Sequence, residues 1–328
     1  LKIIIIKVLI LLVLVELVFR FLLPTDEWYK EAERLAQSKQ IGYIFIGSSR
    51  VACSINPVEF TKSVKDEGSR DRTVNMGRGY STLVEHCLGV TRIAEAMPDK
   101  LKGVVIFLEA PQGIPDFQTW QSDWFNADNP ELLAATMGVS DLDAFWSQSS
   151  GADLKTKMLV SAATVSEAIR LRGGWKMLLD NCLHPGRSSV TQSPTGGIRQ
   201  DSQGILNARR LAFVLARNEI RNQREINLDN WDTTVLKSLN DRIHSSGGRL
   251  VLFNMPISSV QAIVNSTAIG KKNKKNIDDL LRKANIPLIH PVFTTTDDDF
   301  PDLWHLRGTR SAEFTRSVAQ AYLQLKKM

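Results

Sequence analysis

The run Tyr43-Ile-Phe-Ile46 constrains this chain more than any other feature. It is continuously apolar, β-branched and aromatic, with no alternation of polar and apolar positions. That pattern marks a strand buried on both faces. A strand of this kind needs a parallel sheet with helices packed on each side. Val104-Val-Ile-Phe-Leu108 repeats the pattern inside a strand expected over 103–108, and Leu250-Val-Leu-Phe253 repeats it over 249–254. Shorter strands are expected at 73–75 and 287–290. Helical periods lie between them: 57–65, with Pro57 in its first turn; 82–97, with Leu83, Cys87, Val90, Ile93 and Ala94 on one face; and a closing helix over 308–326. The alternation predicts an α/β fold built on a doubly wound (flavodoxin-like) parallel sheet of five strands.

Two segments stand outside that pattern. About 140 residues separate the third and fourth strands, far more than the dozen or so of an ordinary crossover. Helical patterns at 154–179 and 204–225 flank a stretch rich in Pro, Gly, Ser and Thr at 184–203, which reads as a loop. A further helix at 229–245 leads into the fourth strand. A helical insertion over about 113–228 is therefore expected. The other segment is residues 3–23, dominated by Ile, Leu, Val and Phe and long enough to cross a bilayer of ~20 residues' span. Lys7 and Arg20 sit near its ends, and Glu16 lies four residues before Arg20. No small-residue cleavage site precedes Pro24, which favours an anchor over a cleaved signal peptide. Lys2 and Lys7 come early and Asp26, Glu27 and Glu31 follow the span, which places the amino terminus in the cytoplasm and the body outside. The expected organisation is an anchor at 1–24, a polar connector helix at 25–40 and an α/β domain at 41–328.

Charge and composition narrow the function classes. With 41 Lys and Arg against 35 Asp and Glu the net charge is +6, which suits anionic surfaces. Aromatics make up 7% and do not interleave with a basic stripe, which argues against nucleic-acid binding. The basic run Lys271-Lys-Asn-Lys-Lys275 reads as a solvated helix face. Cys53, Cys87 and Cys182 are too few and too scattered for a zinc site or a disulfide framework. They read as buried thiols, with a bridge between Cys53 and Cys87 open in an oxidising compartment. No metal or cofactor is expected.

Chemistry concentrates at the two ends of the expected domain. The first strand ends in Gly47-Ser48-Ser49-Arg50, so two hydroxyls stand at the carboxyl edge of the sheet, where open α/β folds place ligands. Serines in such a turn also serve simply as caps for backbone groups. Near the other end, Asp302 and His305 are three apart in Phe300-Pro-Asp-Leu-Trp-His305, just before the closing helix. That spacing lets a carboxylate hold the imidazole Nδ1 while Nε2 faces a nucleophile. The neighbouring Asp297-Asp-Asp299 reads as a solvated acidic turn.

A strand followed by Gly-x-Ser near the start, Asn75-Met-Gly-Arg-Gly-Tyr-Ser-Thr82 after the second strand, and Asp-x-x-His before the last helix together resemble the SGNH hydrolase (GDSL-type esterase) superfamily. The likeness covers residues 42–112 and 249–328. It implies Ser49 as the nucleophile, His305 as general base and Asp302 as its orienting acid. It also implies an oxyanion hole from the N–H groups of Ser49 and Gly79. The family's third donor, an asparagine after the third strand, is missing. Glu109 and Gln112 occupy that region; a glutamine amide can donate, whereas an ionised glutamate cannot and would oppose the oxyanion unless turned away. The Gly-Ser-Ser-Arg form resembles membrane-anchored members. The resemblance therefore implies an extracytoplasmic, membrane-anchored serine esterase or O-acyltransferase. Its substrates would be carboxyl esters, such as acetyl groups on an envelope polysaccharide, and a membrane acyl-donor protein is a candidate partner. A non-catalytic binding or assembly protein on the same scaffold is the competing expectation, motivated by the missing asparagine and the insertion.

Overall fold

The structure, a computed structural model, describes residues 27–38, 41–64, 72–78, 83–98, 100–111, 142–148, 154–166 and 230–327, with Ile10, Leu14 and eight isolated residues between 206 and 225. Its elements in chain order are α1 (Glu27–Gln37), β1 (Ile41–Ile46), α2 (Ser49–Ser54), α3 (Pro57–Val64), β2 (Arg72–Asn75), α4 (Leu83–Ala96), β3 (Val105–Glu109), α5 (Leu142–Gln148), α6 (Leu154–Val165), α7 (Asn230–Ser245), β4 (Arg249–Phe253), α8 (Ser259–Ser266), α9 (Ala268–Ala284), β5 (Leu288–Ile289), a 3-10 turn (Asp297–Asp299) and α10 (Gly308–Lys327).

The five strands form one sheet in the order β2-β1-β3-β4-β5, and every pairing is parallel. Strand residues alternate between two cores, as the pleat requires. Ile44, Ile46, Ile106, Leu108, Leu250 and Leu252 face a core completed by α1, α4, α7 and α9. Phe45, Val105, Phe107, Val251 and Phe253 face the opposite core, completed by α2, α3 and α10. There Phe45 stacks on Phe107 at 4.5 Å between centroids, and Phe60 and Phe253 meet Phe45 edge-on. Such ring pairs add about 0.5–1.5 kcal/mol each beyond their area burial. Both faces of the central strands are covered, which is why their sequences are continuously apolar.

Several elements differ from what periodicity alone suggests. The chain enters a helix directly at Ser49, eight residues before Pro57, because Ser48 caps it. The segment after residue 24 is more than a spacer: α1 packs on α4 and fully buries Ala32. Helix α8 was not among the expected elements, whereas α9 contains the basic run expected as a solvated helix face, and all four lysines of that run are exposed. The lysine-rich run 271–275 interrupts any apolar stripe in the first half of α9, yet Asn273 within it is buried beside the Ile277, Leu280, Leu281 and Ala284 face. Cys53 and Cys87 are both free thiols, so the optional bridge does not form. Burial pushes the Cys87 thiol up to about 12.

Among the described residues no helix is long and apolar enough to cross a membrane. The expected span at 3–23 lies, apart from Ile10 and Leu14, outside the described residues, as do the 184–203 loop and most of the 204–225 helix.

Candidate active site

The carboxyl ends of β1, β3 and β4 lie side by side and carry residues 47–49, Glu109 and residues 254–256 respectively. β1 stops at Ile46, and Gly47 lets the chain turn where no side chain fits. A Cβ there would lie 2.2 Å from Val51 Cγ2 and 2.6 Å from Glu109 Oε2. Ser48 follows in extended backbone as the N-cap of α2, its Oγ accepting from the Arg50 N–H at 3.2 Å. Ser49 is the first helical residue. Its N–H belongs to the opening turn and so has no acceptor within the helix.

The loop after β2 is laced to this turn. Asn75 Nδ2 donates to the carbonyls of Val51 (3.1 Å) and Ile55 (2.9 Å), holding the far end of α2. Its Oδ1 accepts the Gly77 N–H at 2.9 Å, and the Arg78 N–H donates to the Gly47 carbonyl at 2.9 Å. Gly77 is needed for close approach: a Cβ there would lie 2.3 Å from the Ala52 backbone nitrogen. Gly79, one residue further, lies outside the described residues, and so does Gln112.

The third wall is the loop between the 3-10 turn and α10. Asp302 Oδ1 accepts the N–H groups of Trp304 (3.0 Å) and His305 (2.8 Å), folding the loop into a tight turn around its carboxylate. The other oxygen, Oδ2, lies 2.6 Å from His305 Nδ1. On the opposite side of the ring, His305 Nε2 is 2.7 Å from Ser49 Oγ. With the Nδ1 proton held by the carboxylate, Nε2 presents its lone pair to the serine hydroxyl. Burial pushes the Asp302 carboxyl up, but the hydrogen bond and charge of His305, with the two backbone N–H groups, outweigh it and hold the group below its ordinary value. The imidazole and carboxylate are about one-fifth and one-seventh exposed (22% and 14%), so the assembly opens to solvent on one side.

Two supports of this loop were not legible in the sequence. Leu303 adopts a left-handed backbone (φ 64°), unusual and strained for a residue other than glycine. It is held there by burial against Val260 and Val264, and by Ser258 Oγ, which donates to the Leu303 carbonyl at 2.7 Å. Ser258 also caps α8, in a reciprocal box with Gln261. The acidic run beside it is more than a solvated turn. Asp297 takes the Ser259 N–H and hydroxyl at 2.9 and 2.5 Å, and Asp299 takes the Thr296 N–H and pairs with Arg310. From the insertion, Arg209 Nη2 donates to the Asp297 carbonyl at 3.0 Å.

Glu109 ends β3 beside the Ser48 turn, and its carboxylate is engaged. Oε2 accepts the Ser48 N–H at 2.7 Å, and Oε1 lies 3.6 Å from the buried Arg50 guanidinium. It is turned toward these donors, which answers the concern that it would stand bare beside an oxyanion.

Ser49, His305 and Asp302 thus form one hydrogen-bonded chain at the carboxyl edge of a parallel sheet. That geometry can pass a proton from a hydroxyl to an imidazole steadied by a carboxylate. Neither a known protein family nor a curated protein matches this chain.

Proposed function

We propose that the protein is a serine esterase or O-acyltransferase acting on carboxyl esters, on a doubly wound scaffold of the SGNH-hydrolase type. The observation that carries this reading is the 2.7 Å contact between Ser49 Oγ and His305 Nε2, with Asp302 2.6 Å behind the ring. A serine hydroxyl is a weak nucleophile on its own and needs a base within hydrogen-bond reach. In the proposed reaction, His305 takes the Ser49 proton as Oγ attacks the ester carbonyl. Asp302 stabilises the imidazolium and keeps the ring in register. The Ser49 N–H is the first donor to the tetrahedral oxygen, with the Gly79 N–H and the Gln112 amide as its proposed companions. Collapse expels the alcohol, which takes the proton from His305 and leaves an acyl group on Ser49. A water or a sugar hydroxyl, deprotonated by the same imidazole, then takes the acyl group.

The strand order β2-β1-β3-β4-β5 supports the scaffold assignment, since sheets of that order bind ligands beyond their carboxyl ends. The apolar segment 3–23 supports an anchored, extracytoplasmic enzyme, and the resemblance to membrane-anchored members points to envelope esters as its substrates. Glu109 at the end of β3, where the resemblance calls for an asparagine, favours a second reading: a binding or assembly protein that keeps the scaffold without turnover. A serine-directed fluorophosphonate and a small acetyl ester separate the two. The esterase reading expects labelling at Ser49 and turnover abolished by Ser49→Ala. Turnover unchanged by Ser49→Ala removes this residue from the chemistry, and absence of both labelling and turnover favours the binding protein.

A further inference from the structure

We propose that Glu109 is a positioning residue for the nucleophile, holding the Ser48 N–H so that Ser49 meets His305, with Arg50 as its counter-charge. The proposal rests on the esterase reading and adds a role for the residue that stands where an oxyanion donor was expected.

Four contacts define the device. Glu109 Oε2 accepts the Ser48 N–H at 2.7 Å, across 61 positions of sequence, and fixes the residue before the nucleophile to the end of β3. Glu109 Oε1 faces the Arg50 guanidinium at 3.6 Å. Arg50 Nη2 in turn donates to the Pro256 carbonyl at 2.6 Å, in the loop that leaves β4. Two residues on, Ser258 Oγ donates to the Leu303 carbonyl, between Asp302 and His305. The turn bearing the nucleophile and the loop bearing its base are thereby tied to the ends of adjacent strands, and through them to each other.

The arrangement also has a direct electrostatic purpose. A charged hydrogen bond to a buried carboxylate is stronger than a neutral one, so it orients the turn firmly. An uncompensated carboxylate this near the reacting carbonyl would oppose negative charge building on its oxygen. Arg50, only 7% exposed like Glu109 itself, balances that charge within the protein. Glu109 engages the Ser48 N–H and not that of Ser49, which belongs to the opening turn of α2. Gly47 permits all of this, since any side chain there would collide with Glu109.

Glu109→Gln and Glu109→Ala divide the question, because both remove the charge but only alanine removes the acceptor for the Ser48 N–H. In the full chain in detergent, Glu109→Ala is expected to lower kcat on a small acetyl ester about 100-fold with KM within about twofold. Glu109→Gln, which keeps a side-chain oxygen, is expected to hold kcat within about tenfold of wild type. Because Glu109→Ala removes an ion-pair partner of the buried Arg50, the same pair is compared in an Arg50→Met background should the single variant fail to fold. Equal losses in Gln and Ala, or no loss in Ala, overturn the positioning role. Absence of turnover in the wild type overturns the esterase reading instead. The ring 15N signals of His305 then decide the present proposal: displaced by Ala and not by Gln they support it, and any other pattern overturns it.

Discussion

Ser49 and His305 are 256 positions apart in the chain, yet Ser49 Oγ and His305 Nε2 are 2.7 Å apart in the fold. The contact exists because β1 delivers the serine to the carboxyl edge of the sheet, and a turn wrapped around the Asp302 carboxylate presents the imidazole to the same edge. Neither residue has a specific meaning without the other.

If the three side chains act as one unit, their removals will not add. Ser49→Ala and His305→Ala are each expected to lower kcat by roughly four to six orders of magnitude, and the double variant by no more than either alone. Steady-state rates on a small acetyl ester check this. Additive losses would mean that the two residues work independently.

Asp302 links the site to acid stability. Its carboxyl lies below its ordinary value in the fold, so the ionised form contributes stability that is present above about pH 4 and is lost as pH falls through the depressed value. Asp302→Asn should therefore cost most near neutrality, and the gap from wild type should narrow in acid. Guanidinium unfolding at pH 7 and pH 3.5 measures that gap; a gap of constant size contradicts it.

His86 on α4 works in the opposite charge sense. Burial lowers its pKa to about 3, so it stays neutral in the fold while the unfolded chain takes up a proton below about pH 6.5. Stability is then lost at about 1.4 kcal/mol per pH unit below that point, or about 2 kcal/mol at pH 5. His86→Asn should flatten this part of the pH dependence in urea unfolding between pH 7.5 and 5. An unchanged slope would show that other groups set it.

Gly47→Ala should damage both stability and the site. The new Cβ would lie 2.2 Å from Val51 Cγ2 and 2.9 Å from Glu109 Cβ, in a turn fixed on each side by backbone hydrogen bonds. Overpacking of this kind costs about 1–3 kcal/mol. Thermal unfolding and fluorophosphonate labelling of Ser49 should fall together. A variant that keeps wild-type stability and labelling would show that the turn relaxes freely.

Ser258→Ala tests the support behind the histidine. It removes the N-cap of α8 and the hydrogen bond to the left-handed Leu303, at a cost of about 1–2 kcal/mol. Leu303 lies between Asp302 and His305, so kcat should fall more than KM rises. A stability loss with unchanged kcat would confine Ser258 to capping.

The sequence by itself determined the layers of this protein. Strands buried on two faces must be apolar at every position, so Tyr43 to Ile46 and Val104 to Leu108 were legible from local composition, as was the buried face of α4 from Leu83 to Ala94. The Asp302 and His305 pair was legible too, because three-residue spacing lets one loop residue fold back on the other. Tertiary structure decided what depends on partners distant in the chain. The helix at Ser49 is only six residues long, carries no apolar period of its own and is fixed by the Ser48 cap and by Asn75 from β2. The left-handed Leu303 is tolerated only because Ser258 and a small apolar cluster hold it. Glu109 reads in sequence as a charge in the wrong place; in the fold it is the acceptor for Ser48 and the partner of Arg50. Local pattern specifies burial and periodicity, whereas the role of a single polar side chain depends on which donors the folded chain brings to it.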